Sequence, residues 1–138
     1  MRPLRRGRVQ TLWACAGVYA VASLIHFFHN AEFCSAYPNL PEWISRWSVY
    51  ASWIAITGVG VVGFFLLQCK RPVIGLAFVG VYAVLGFDGL GHYALAPMAR
   101  HSRAMNLTIW GEVMAAALLL AVVARSLVAE LRTIWRRA

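Results

Sequence analysis

Apolar residues fall along this chain in four blocks, separated by short stretches that carry charge, proline or glycine. A helix that crosses the hydrocarbon core of a bilayer needs about 20 mostly apolar residues. Residues 11–29, 47–68, 72–88 and 105–124 meet or approach that length, and the third block has room to run a turn further. Short connections favour antiparallel neighbours. Lys70-Arg71-Pro72 marks a tight turn, since proline is tolerated in the first turn of a helix. Pro38 and Pro41 prevent residues 30–46 from forming one continuous helix. Gly89, Gly91 and Pro97 predict a break after the third block. The pattern therefore predicts an all-α integral membrane four-helix bundle of antiparallel up-down topology, as a single transmembrane domain over residues 1–138. Residues 125–138 continue at helical spacing, with Leu127, Val128, Leu131, Ile134 and Trp135 opposite Arg125, Arg132, Arg136 and Arg137. They read equally as an amphipathic extension against anionic headgroups or as a solvated helix end.

Composition strengthens the membrane reading. The chain is 61% hydrophobic and 13% charged, whereas soluble domains carry roughly 45–50% apolar and about 25% charged residues. A net charge of +8 raises nucleic acid as a partner, but the arginines lie at the chain ends and in one short loop. That distribution reads as a topology signal and argues against nucleic-acid binding. Ten basic residues group on one side if both termini are inside: Arg2, Arg5, Arg6, Arg8, Lys70, Arg71, Arg125, Arg132, Arg136 and Arg137. Three fall opposite: Arg46, Arg100 and Arg103. The imbalance predicts an N-in/C-in orientation in a cytoplasmic-type (inner or plasma) membrane. A cleaved signal peptide competes for the N-terminus, but the apolar run is long for one and no clear A-x-A site follows it.

The three cysteines, Cys15, Cys34 and Cys69, form no C-x-x-C pair, which argues against a structural disulfide and against paired redox chemistry. Small residues supply close helix contacts in lipid. Those available are Ala51, Ala55, Gly58 and Gly63 in the second span, Gly75, Gly80 and Gly86 in the third, and Ala115, Ala116 and Ala117 in the fourth. Trp43, Trp47, Tyr93 and Trp110 fall at one predicted interface and Trp135 at the other, as aromatic belts do. Trp53 lies deeper and needs a partner for its indole N–H.

The polar residues inside apolar sequence cluster at one end of the spans. Cys15, Tyr19, Ala22, His26 and His29 share one stripe of the first span. Asn30 follows, placed to cap the helix or orient an imidazole, and Glu32 extends the stripe by a turn. Asp88 and His92 share a face only if the helix persists through two glycines. Thr108 and Glu112 share a face of the fourth span, with Asn106 at its mouth and His101 on the preceding loop. Glu112 is about 9 Å into the span at 1.5 Å per residue. An ionisable group at that depth is costly and is a functional candidate by default. Both Glu112 and Asp88 should then face the interior, with imidazole partners.

Three readings follow. The favoured one is a transition-metal site (Cu, Fe or Zn) in a small membrane metalloenzyme. Its ligands are His26, His29, His92, Asp88 and Glu112, with His101 and Glu32 depending on loop conformation. The second is metal-free acid–base catalysis by Glu112 and Asp88 on an apolar small-molecule substrate such as an isoprenoid. Phe27, Phe28, Trp53, Phe87 and Trp110 are available to line its pocket. In the third the histidines only hold helices together, as in an accessory subunit of a larger membrane complex. A transporter with so few spans would need a homo-oligomer. The site opens on the non-cytoplasmic side in every case. Haem is not expected, because its axial histidines would lie deeper and no C-x-x-C-H motif occurs. No nucleotide is expected, because Walker and Rossmann patterns are absent, as is H-E-x-x-H.

Overall fold

The computed structural model describes residues 6–136, and all regular structure among them is helical. Helix α1 runs Arg6–Glu32, α2 Arg46–Gln68, α3 Pro72–Leu85, α4 Gly91–Leu95 and α5 Arg103–Trp135. Four stretches are long and apolar enough to cross a membrane, the third being Pro72–Leu95 taken as a whole.

Local chemistry sets the boundaries. Ser45 and Ser102 cap α2 and α5, each accepting from the backbone N–H three residues on, at 3.2 Å in both cases. Such caps satisfy donors that the first helical turn leaves free. At the end of α2, Lys70 takes a left-handed conformation, φ 58°. The amide N–H of Arg71 then donates to Leu66 and that of Lys70 to Leu67. This is the paired closure usually built on glycine, and Pro72 starts α3 directly after it.

The third span departs from a simple rod. Helix α3 stops at Leu85 and a 3-10 turn over Asp88–Leu90 leads into α4. Fourteen residues make only about 21 Å of helix, short of the ~30 Å hydrocarbon core. Asp88 and His92 therefore do not share one continuous helical face. The C-terminal extension behaves differently: α5 carries straight on through Trp135. Residues 137–138 of that extension, and Arg2 and Arg5 of the topology signal, lie outside the described residues.

Helix α1 packs most against α5, and α2 against α3; α3 also meets α5, and α1 meets α2 less closely. Leu12, Tyr19, Leu76, Val79, Ala116 and Leu119 are fully buried between them. A Cβ on Gly63 would lie 2.9 Å from the backbone nitrogen of Val79, and one on Gly75 2.9 Å from the carbonyl oxygen of Gly63. A Cβ on Gly86 would come within 2.5 Å of the Tyr19 ring and 2.7 Å of Ala116 Cβ. Glycine is thus required where helices come closest, as packing in lipid demands. Gly60, against Tyr82, belongs to this set. Gly58 does not, since its missing Cβ faces open space.

Of the tryptophans expected at interfaces, Trp43, Trp47 and Trp135 are each at least three-quarters exposed, while Trp110 is partly covered, its ring 6.2 Å from that of Tyr93. Trp53 instead packs against the Phe27, Ala31 and Val49 cluster, and its indole N–H finds no partner there.

Candidate functional site

Helix α1 presents Tyr19, Ser23 and His26 on its buried face, and α5 presents Ile109 and Glu112 on its own. These faces meet near the C-terminal end of α1. His26 Nε2 lies 3.7 Å from Glu112 Oε2, with the side chains 2% and 0% exposed. It is the one histidine–carboxylate contact among the described residues. Neither carboxylate oxygen has a hydrogen-bond partner. Ser23 lies alongside Glu112, but its hydroxyl does not complete a bond. Two charges buried without further hydrogen bonds would cost more than their attraction returns, so one shared proton is the economical state.

The ring orientation follows from its other nitrogen. Thr108 donates its hydroxyl hydrogen to Met105 O at 3.0 Å. Its oxygen is left to accept from His26 Nδ1, 3.4 Å away. The Nε2 lone pair then faces Glu112. Gly89 packs directly over this pair: a Cβ there would lie 3.4 Å from His26 Nε2 and 3.7 Å from Glu112 Oε2.

Beside the pair is a cavity of ≈370 Å³. His26, Asn30, Asp88 and His92 line its polar side, while Phe27, Leu40, Trp43, Val49 and Leu95 line its apolar side. Asp88 is exposed at this cavity and makes no ion pair among the described residues. The expected interior partner is missing because α3 ends before Asp88 and the 3-10 turn carries it outward. Asn30 reaches His92, with Nδ2 3.1 Å from Nε2.

The other expected residues divide. His101 is buried against Tyr93, His92 and Tyr37, with ring centroids 5.3, 6.2 and 6.4 Å away. Its Nδ1 lies 3.2 Å from Pro97 O, and its Nε2 has no partner. His29 turns to the loop and meets Tyr37 OH at 2.9 Å. Glu32 is drawn away, bonded to Arg46 at 2.7 Å and Tyr50 OH at 2.6 Å. The ligand set expected from the sequence is therefore not assembled. Among the described residues, no three His, Cys, Asp or Glu side chains are grouped to hold a metal ion. The break after α3 and the surface pairing of Glu32 are the physical reasons.

Tyr37 is the residue the sequence did not single out. It sits in a loop between two prolines and a 3-10 turn, yet is only 4% exposed. Its ring tilts over His92 with centroids 4.6 Å apart, and its hydroxyl lies near Thr108. Burial raises the phenol from 10.0 to about 12, so it keeps its proton as a donor to His29. No periodic signal marks a loop tyrosine as buried. Ser23 was findable, because it lies three residues before His26 and so on the same helix face, beside Ala22 of the stripe.

No protein-family model, curated protein or solved structure matches this chain. Its chemistry has to be read from the site alone.

Proposed function

We propose that the chain is a multi-pass membrane protein with antiparallel spans and both termini inside. Its site opens to the non-cytoplasmic side and performs acid–base chemistry on an apolar small molecule. The observation that carries the reading is the buried His26–Glu112 pair beside a half-apolar cavity. The antiparallel arrangement is supported by contacts that rise along α2 as they fall along α3: Gly60 with Tyr82, Gly63 with Val79, Leu67 with Gly75. The orientation rests on the basic residues.

A double-bond shift in an isoprenoid-like alkene suits this lining. One proton is added to an alkene carbon and one is lost from the carbon beside the resulting cation, with no net redox change. The His26–Glu112 pair supplies the first proton. Asp88, which lines the same cavity as His26, takes the second. A proton donor and a proton acceptor at one cavity meet the requirement of general acid–base catalysis.

The test is deuterium incorporation. Purified protein in detergent is incubated in D₂O with farnesol, squalene and a Δ8-sterol, and the recovered lipids are weighed by mass spectrometry. Wild type should add deuterium to at least one alkene. Glu112→Gln and Asp88→Asn should each lose about 10²-fold or more of that rate, the usual worth of an acid–base group. No incorporation by wild type into any of the three would overturn the reading.

A second reading has its own observation. His101 anchors Nδ1 on a backbone carbonyl and leaves a buried Nε2 free, as metal-ligating histidines do. A transition metal held by His92 and His101 would appear as stoichiometric metal in protein purified without affinity tags, and would be lost in His101→Ala.

A further inference from the structure

The far end of the bundle holds a second, different pocket. Gly7, Arg8 and Thr11 of α1 and Val122, Arg125 and Ser126 of α5 enclose ≈380 Å³. Neither guanidinium has an ion-pair partner among the described residues. The two hydroxyls are committed inward, Thr11 donating to Gly7 O at 3.0 Å and Ser126 to Val122 O at 2.8 Å. Free donors in this pocket therefore come from two arginines, whose planar forks suit phosphate oxygens. The acidic side chains of the chain, Glu32, Glu42, Asp88, Glu112 and Glu130, do not line it.

From this we propose that Arg8 and Arg125 hold the phosphate of an anionic phospholipid in the cleft between α1 and α5. The lipid is favoured over free phosphate by the apolar surface further along both helices. Leu118 is one turn beyond Val122 and Val18 two turns beyond Thr11, and both are about half exposed at 52% and 55%. Helical spacing keeps them near the faces of Val122 and Thr11, so they offer an acyl chain apolar surface beyond the two arginines. The proposal does not depend on the chemistry at His26 and Glu112, which lie at the opposite ends of the same two helices.

Native mass spectrometry of the full chain in detergent gives the test, with phosphatidylglycerol or phosphatidylcholine titrated in and inorganic phosphate as competitor. Wild type should retain phosphatidylglycerol over phosphatidylcholine by about tenfold or more, since each basic group near a headgroup is worth about 1 kcal/mol. The Arg8→Gln/Arg125→Gln variant should lose that preference, and Arg8→Lys/Arg125→Lys should keep part of it. Equal retention of both lipids by wild type, or an unchanged preference in the glutamine variant, would overturn the proposal. So would displacement of phosphatidylglycerol by millimolar inorganic phosphate, which would make the site one for the free anion. The wild-type arms decide the matter even if the glutamine variant does not fold.

Discussion

At the scale of single residues, the chemistry concentrates in Glu112. Its two oxygens are fully buried and only His26 faces them within ion-pair distance. Removing one member of such a pair should hurt more than removing both, because it strands a buried polar group. His26→Ala should lower stability by about 1–3 kcal/mol. The double variant His26→Ala/Glu112→Leu should recover a substantial part of that loss. Thermal unfolding in detergent reads both, and a double variant less stable than His26→Ala would show that the pair is not mutually dependent. Glu112 and His26 were each legible as candidates from their depth in two apolar spans, but the sequence left His26, His29 and His92 equally open as partners of Glu112. Tyr37 was not legible, because loop burial is set by what folds over the loop. Nor was the fate of Glu32, which depended on Arg46 standing at the start of α2 to draw it outward.

At the scale of elements, glycine separates close packing from mere composition. Gly63→Ala should destabilise by about 1–3 kcal/mol, the usual cost of overpacking, because its new Cβ would press on the Val79 backbone rather than on a movable side chain. Gly58→Ala, five residues earlier and facing open space, should be neutral or stabilising by up to about 1 kcal/mol through helix propensity. Unfolding midpoints of the two variants in one detergent make the comparison. Equal effects would mean that α2 does not present Gly63 to α3. Sequence spacing put both residues in one packing group, and only the rotation of α2 against its neighbour tells them apart. The same holds for the third span. Its glycines announced a break, but the short α3 and the outward turn at Asp88 required the actual path of the chain.

At the scale of the whole molecule, two chemically distinct ends share one bundle. The four histidines and four of the five carboxylates lie toward one end, and Arg8, Lys70, Arg71, Arg125 and Arg132 lie toward the other. The orientation has a direct check in two native cysteines. Cys69 is exposed beside Lys70 and Cys34 is partly exposed in the loop after α1. With both termini inside, a membrane-impermeant maleimide applied to intact cells should leave Cys69 unlabelled and reach Cys34 at the outer surface. Cys69 should label only after lysis. Labelling of Cys69 in intact cells would invert the assignment, and the His26–Glu112 site would then open to the cytoplasm.

What this sequence determined by itself is the class of fold and which polar groups stand within apolar sequence. Both follow from the cost of leaving apolar surface in water and charge in lipid, costs that depend on composition and spacing along the chain. Which groups meet was decided only by tertiary structure. Contacts across helices depend on how each helix rotates, where it stops and which loop covers it. Of the histidines and carboxylates that spacing drew together, the fold brings one imidazole and one carboxylate into contact, with a cavity beside them and a tyrosine folded over their neighbours.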